Sequence, residues 1–415
     1  MAYSTRNLFH RVVGAAAAST GVLLLLPGVA GAAFPAINGP IVFQSTRQAT
    51  GNSCPYSGTN ELFTTSAAGG TVSQLDCTGS TDQHPFASPD GTEVLFASNR
   101  KDGVDFQLYT MPLLTNGSAS GTPVDVSQNL PSGASDDYPS WAPAAPGQQN
   151  TIIFDSTRGG GSPELYTENI EDLGSVAPVF TNTASFSDTE PVYDPSNANE
   201  IAFVRTAGSG KSQIYTYNFS TKVLVNLSAS DGDGNSNDSK PDFAPSPNGG
   251  GVQLIVFQSD RATLNAVNGP CVGTQLYTMS DQAGSAITPV FQDMGVQLCA
   301  TSQWSQSAGA GAKVADENPV FSPDGTKIAF DQLGTDSTQD VFSAYSAPVS
   351  GNCVAHVAGL DDLTPNYVTD EAPTWAPVDP GASTPEAPNV LLLPLVGGGV
   401  VGAVVFLGRR RRTTS

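Results

Sequence analysis

Six aspartates, Asp82, Asp136, Asp188, Asp238, Asp316 and Asp370, each open a copy of one pattern, Asp-x-x-Pro-x-(aromatic)-x-Pro, with Ala87 replacing the aromatic in the first copy. They are spaced 54, 52, 50, 78 and 54 residues apart. Repeats closed into a ring would gather the six carboxylates at one mouth, with Asp137, Glu317 and Glu371 beside three of them. Like charges so gathered repel, so the ring must recruit a cation, hold protons, or turn its oxygens onto backbone N–H groups. A cation held by oxygens alone would be Ca²⁺. The plainer reading is an Asp side chain accepting loop hydrogen bonds beside a proline turn.

A candidate calcium loop lies at Asp231, Asp233 and Asn235, where oxygen-bearing side chains alternate with glycine and serine. It lacks the glycine at the sixth place and the bidentate Glu at the twelfth that such loops carry. Histidine is scarce: of three, only His84 and His356 follow the leader described below, too few for a three-histidine metal centre. His84 sits in the Asp82 segment and is placed either to line a channel or simply to fill a turn. No Gly-x-Ser-x-Gly elbow is present. Arg47, Arg100, Arg158 and Arg261 close an (apolar)-Phe-x-Ser-x-Arg segment; Arg205 is displaced and the fifth unit has none. These arginines read as partners of carbonyls and acids within a repeat, not as catalytic groups.

The elements that must position these residues are short strands. Pro85 and Pro89, and their equivalents in every copy, bracket a very short strand, because proline cannot donate to a ladder. Between the prolines an inward layer forms from Trp141, Tyr193, Phe243, Phe321 and Trp375. Turns such as Ser88-Pro89-Asp90-Gly91 and Ser322-Pro323-Asp324-Gly325 follow, their glycines supplying positive φ. Next come apolar runs such as Val94-Leu95-Phe96 and Ile328-Ala329-Phe330, fit for a strand buried on both faces. A third strand carries Leu108-Tyr109 and its equivalents, and segments such as Pro178-Val179-Phe180 and Val223–Leu227 supply a fourth. Four short strands per unit of about 50 residues make a propeller blade. The residues before Asp82 supply the second to fourth strands of a blade and those after Asp370 only its first, so the two ends complete one unit. The fold class is all-β: a six-bladed β-propeller closed between N- and C-terminal strands, with a C-terminal transmembrane helix.

The six copies resemble the WD-like repeats of TolB-type propellers, whose blades read similarly at Asp-x-x-Pro-x-Trp-Ser-Pro-Asp-Gly and at (apolar)-Phe-x-Ser-x-Arg. The resemblance covers about residues 37 to 379 and implies a six-bladed propeller. It does not extend to that family's α/β domain, so a role in the Tol–Pal envelope system is not carried over.

The ends supply an address. Arg6 and Arg11, the apolar run Val12 to Leu26 and the small residues through Ala32 read as a signal peptide over 1–32. The propeller is expected over 33–379, a Pro-rich linker over 380–389, a membrane anchor over 390–408 and a basic cytoplasmic tail over 409–415. Leu393-Pro394-Leu395-Val396-Gly397 resembles the LPXTG wall-sorting signal but has Val396 in place of Thr. Six of the 17 Lys and Arg lie in the terminal segments, which leaves 11 against 38 acids, a net charge of −27. Nucleic acid and anionic lipid surfaces are poor partners for such a body. Cys54 with Cys77 and Cys271 with Cys299 are the expected disulfides of an oxidising compartment, with Cys353 left over. The expectation is a monomeric surface-anchored module that binds a protein, peptide or glycan, with Trp304 on the long insertion as its first contact. The alternative is a polysaccharide lyase or hydrolase using the mouth carboxylates.

Overall fold

The computed structural model describes residues 37–47, 58–127, 130–143, 150–180, 186–208, 210–231, 236–245, 252–261, 274–289, 292–293, 296–297, 315–333, 339–349, 352–364 and 369–378. The apolar Phe-containing runs are the second strand of each sheet, buried on both faces as continuous hydrophobic segments must be. Alternate residues of one such run serve two different cores. Val94 and Phe96 pack with Val42 and Leu62 on one side. Leu95 and Ala97 pack with Trp141, Ile152 and Phe154 on the other. The hydrophobic core is therefore distributed between neighbouring sheets, and each sheet is held by the two beside it.

The described residues form six four-stranded antiparallel sheets. Blade 1 runs outward from β4 (Asp82–Ala87) through β5 (Glu93–Ser98) and β6 (Gln107–Pro112) to β7 (Val124–Asp125). Blade 2 is β8 (Asp136–Trp141), β9 (Thr151–Ser156), β10 (Glu164–Asn169) and β11 (Asp172–Pro178). Blade 3 is β12 (Phe186–Asp194), β13 (Asn197–Ala207), β14 (Ser212–Asn218) and β15 (Leu224–Asn226). Blade 4 is β16 (Asp238–Phe243), β17 (Leu254–Ser259), β18 (Gln275–Ser280) and β19 (Thr288–Pro289), followed by a small hairpin of β20 (Gln292–Asp293) and β21 (Val296–Gln297). Blade 5 is β22 (Asp316–Phe321), β23 (Lys327–Leu333), β24 (Gln339–Val349) and β25 (Asn352–Asp362). The closing blade takes its innermost strand, β26 (Asp370–Val378), from the C-terminal side and adds β1 (Ile37–Ser45), β2 (Glu61–Thr65) and β3 (Ser73–Gln74). The six innermost strands touch in cyclic order, β4 to β8, β12, β16, β22, β26 and back to β4. The six blades and their closure are as the repeat predicts.

The inner strands differ from the expectation in one respect. Five begin at the aspartate, three residues before the first proline, and β12 begins two residues earlier still, at Phe186: Asp82 pairs with Ser98, Asp136 with Ser156 and Asp370 with Ser45. The proline is accommodated because each of these strands bulges there. Gln83 faces Ala97 and Phe86 faces Leu95, so one extra residue is looped out, and the other five inner strands shift at the same place. At a bulge the missing proline N–H removes no ladder bond.

The membrane segment 390–408, the signal segment, Cys54, Cys271, Cys299, Trp304, Asp233 and Asn235 lie outside the described residues. Asp231 ends a short 3₁₀ turn, Ser228–Asp231. Among the described residues no helix is long and apolar enough to cross a membrane.

Closure also explains a glycine. Gly91 has φ +68° in the first hairpin turn, and a Cβ there would overlap the Pro377 carbonyl of β26. Gly91→Ala is expected to destabilise the protein by about 2 kcal/mol or more, since a left-handed L-residue already costs about 1–2 kcal/mol before any clash. Gly103, at φ +80° with nothing within 4 Å of such a Cβ, is the control. Thermal unfolding should separate the two alanine variants; equal losses would mean that closure does not depend on this approach.

Candidate functional site: the mouth of the central channel

The six repeat aspartates do not open onto the mouth. Each is buried, at 0–1 % exposure, and five of them meet the arginine of their own blade. Asp82 accepts two bonds from Arg100 Nη2 at 2.9 and 2.8 Å. Arg261 Nη2 donates to Asp238 at 2.7 Å, and Arg47 pairs with Asp370 across the closure. Displaced Arg205 still reaches Asp188, its direct cross-strand neighbour, with Nε and Nη2 at 2.6 and 2.7 Å. Each guanidinium lies over the repeat aromatics, as Arg100 does 5.1 Å from the Phe96 centroid and 4.9 Å from that of Tyr109. Asp, Ser-x-Arg, Phe and Leu-Tyr are thus one buried cluster made several times over. In blade 5 Asp316 has Gln332 at 2.7 Å instead of an arginine. Burial, with Asp331 and Glu317 nearby, pushes its carboxyl up to about 8. Among the described residues no three His, Cys, Asp or Glu side chains converge as a metal site.

What the repeat does hold at the mouth is the residue before the first proline. His84, Tyr138, Glu190, Lys240, Asn318 and Ala372 all have φ between +47° and +55°. Left-handed backbone is uncommon for any residue but glycine, and six equivalent cases mark a position imposed by the fold. The bulge turns each of these residues into the channel, where all six line one cavity of about 110 Å³. This is the one position of Asp-x-X-Pro whose chemistry changes in every copy. Variation inside a fixed frame is the signal by which the sequence could have disclosed it; of the six, only His84 has the channel among its readings from sequence, beside that of a plain turn residue.

Each of these left-handed residues has its N–H met by a side-chain oxygen. In four blades the acceptor stands immediately before the Ser-x-Arg position of the preceding blade. His84 N donates to Gln44 Oε1 at 2.9 Å, Glu190 N to Asp155 Oδ2 at 3.0 Å, Asn318 N to Gln258 Oε1 at 2.7 Å and Ala372 N to Asp331 Oδ1 at 3.0 Å. Where that position is Ala97 or Val204, the oxygen comes from elsewhere: Tyr138 N donates to Asp137 at 2.9 Å and Lys240 N to Glu190 at 2.6 Å. Five of these bonds register a blade against the preceding one; the bond from Tyr138 stays within its own strand.

The mouth is asymmetric. His84 and Tyr138 stack with centroids 3.6 Å apart, and Lys240 Nζ lies 3.8 Å over the Tyr138 ring and 3.5 Å from Glu190. Asp137 accepts from Gln83 at 2.7 Å and meets His84 Nδ1 at 2.7 Å. Burial alone would raise Asp137, but His84, the Tyr138 N–H and Lys240 hold it below the usual carboxylate range. Burial would likewise lower Lys240, yet Glu190, Tyr138 and Asp137 keep it above its ordinary value, so it is fully charged. Asn318 and Ala372 leave the opposite side open.

Two residues deeper, the equivalent positions alternate around the ring: Phe86, Ser140, Val192, Asp242, Val320 and Thr374. The three polar members each accept an N–H from the next blade, Ser140 from Tyr193 at 3.3 Å, Asp242 from Phe321 at 2.7 Å and Thr374 from Ala87 at 3.2 Å. The three apolar members narrow the channel. All except Ser140 line both the mouth cavity and a second one of about 40 Å³ beneath it, so this layer is a waist.

Six closed blades with these inner strands decide the fold. It is a six-bladed propeller similar to that of TolB. TolB from Acinetobacter baumannii superposes with a TM-score of 0.52 at 16% identity, over 82% of this chain and 67% of that one. The hydrazine synthase of Kuenenia stuttgartiensis gives 0.56 at 13% identity, over 84% of this chain and 48% of its own. The chain thus spans about two thirds of the first and under half of the second, and at these identities the likeness to the TolB-type propeller is one of fold. No protein-family model and no curated protein sequence matches the chain.

Proposed function

We propose that this chain is a monomeric extracytoplasmic binding module, tethered at its C-terminal end, that takes a protein, peptide or glycan ligand at the channel mouth. One observation carries this reading: the repeat spends its constant residues on folding, while His84, Tyr138, Glu190, Lys240, Asn318 and Ala372 present six different side chains to one cavity. A preformed concave site with apolar walls and a few convergent polar groups is the usual form of a ligand site. The walls here are the six prolines that follow those residues. The signal segment 1–32, the apolar run 390–408 with its four arginines, and the acidic body support export and tethering. Cys77 is disulfide-bonded, which supports the pairing Cys54–Cys77 and, by the similarity of the two stretches, Cys271–Cys299. Trp304 would widen the contact surface, and Ca²⁺ at Asp231, Asp233 and Asn235 would brace the face.

An enzyme acting on polysaccharide is the second reading. With five of the repeat aspartates engaged by arginine and Asp316 by Gln332, it would draw its acids from Glu190 and Asp242.

Screening the purified full chain against peptide and glycan libraries tests both. Ligands found should bind at least about tenfold more weakly to Tyr138→Ala, which removes an aromatic anchor, and to Ala372→Trp, which fills the open side. Unfolding temperatures should stay close to that of the parent. Unchanged affinity in both variants would place the ligand elsewhere, and release of cleaved sugar from the same library would favour the enzyme.

A further inference from the structure

Asp242 is out of place among the channel residues. Its equivalents at the waist are Phe86, Ser140, Val192, Val320 and Thr374, none of which ionises. Its carboxyl receives the N–H groups of Phe321 and Phe243, and among the described residues no lysine or arginine pairs with it. Burial pushes it up to about 7. A carboxyl at this waist, with Phe86, Val192 and Val320 lining the same two cavities, lacks a counter-ion.

The path from the mouth has a definite shape and length. Its walls are prolines above and those three apolar side chains below, and past them the space shrinks from about 110 Å³ at the mouth to about 40 Å³ beneath, so a straight chain passes this layer more easily than a branched one. Two strand residues separate the mouth position from the waist, or about 6–7 Å at roughly 3.3 Å per residue. That suits the flexible four-carbon stem of a lysine, which carries a compact charge and buries its methylenes along apolar surface. The surroundings do not oppose a cation: Glu190 lines the entrance and engages Lys240, Asp137 engages His84 behind it, and the body is strongly acidic.

We propose that the waist is a subsite for a primary ammonium group on an unbranched apolar stem, with Asp242 as its counter-ion and Phe86, Val192 and Val320 as its sleeve. This rests on the channel-mouth reading, because the stem enters there. A lysine side chain of a peptide and a free alkylamine share this chemistry.

Calorimetric titration of the full chain with n-butylammonium, tert-butylammonium, 1-butanol, 1,5-diaminopentane and Nα-acetyl-lysine amide tests it. n-Butylammonium should bind, tert-butylammonium and 1-butanol should bind at least about tenfold more weakly, and Asp242→Asn should abolish the preference for charge. Asp242→Asn keeps an oxygen for the Phe321 N–H and is expected to fold; if it does not, the comparison of the three four-carbon probes on the parent protein still decides. Stronger binding of acetyl-lysine amide than of diaminopentane would assign the subsite to a peptide, and the reverse to a free amine. Equal binding of charged and neutral, or of straight and branched, four-carbon probes overturns the proposal. If library ligands are lost in Ala372→Trp while no alkylammonium binds, the subsite falls and the channel-mouth reading stands.

Discussion

Arg205→Ala is expected to destabilise the protein by about 3–5 kcal/mol, the range for removing one partner of a buried ion pair. Nε and Nη2 of Arg205 each bond one oxygen of Asp188, and neither side chain exceeds 8 % exposure. The guanidinium also lies 4.8–5.4 Å from the centroids of Phe180, Phe186, Phe203 and Tyr215. Its loss therefore strands a carboxylate in a desolvated site and removes the filling between four rings. Lysine should rescue little, because a point charge reproduces neither the fork nor the stacking. Guanidinium chloride denaturation measures the loss. Removing both charges, in Asp188→Asn with Arg205→Met, should restore part of it; a loss under about 1 kcal/mol for Arg205→Ala would mean the pair is not a structural clamp.

The blade without an arginine should make stability fall with rising pH. Asp316 is raised by burial to about 8 from an ordinary 3.8, so the folded chain holds this proton more tightly than the unfolded chain does. Its contribution is then fully present below about pH 4 and is lost as pH rises through about 8. At about 1.4 kcal/mol per tenfold change in proton affinity, the effect is bounded at roughly 5–6 kcal/mol. Asp316→Asn keeps the contact with Gln332 without an ionisable group. Unfolding temperatures at pH 5, 7 and 9 should fall more steeply for the parent than for this variant, and the variant should be the more stable at pH 9. Asp331 and Asp242, raised to about 7, act in the same direction in both proteins, so only the difference reports on Asp316. Parallel curves would show that Asp316 ionises freely.

The fold was legible because it is written several times. Six aspartates at near-constant spacing, paired prolines and Phe-x-Ser-x-Arg each have a reason within one blade, and their agreement predicts the ring and its closure. The roles of these residues were less legible. Asp82 and its equivalents read equally well as loop carboxylates or as strand residues, because nothing local says that Pro85 sits on a bulge; only pairing with Ser98 and Arg100, across a turn, fixes which way the oxygens face. The site was hidden for a complementary reason. Repeats draw attention to what recurs, whereas His84, Tyr138, Glu190, Lys240, Asn318 and Ala372 share a backbone conformation and no side-chain chemistry. The waist was hidden too: its alternation of apolar and hydrogen-bonding residues appears only when positions far apart in sequence are placed around one axis. Asp242 in the run Lys240-Pro241-Asp242-Phe243 looks like a solvated turn residue until that axis exists.

The closing blade has a consequence for how the chain is made. Gln44 bonds Glu371 and Arg47 bonds Asp370, so the first strand of the body finds its inner neighbour only after more than 300 further residues have been synthesised. Until β26 emerges, β1 offers an unpaired edge and Ile41, Phe43 and Phe63 lack Trp375 as their cover. Blades 1 to 5 are each local in sequence and can assemble in the order of synthesis, but the ring locks in one late step of high contact order. A chain stopped short of Asp370 would lack the strand that pairs with β1 and the Trp375 ring that covers its core.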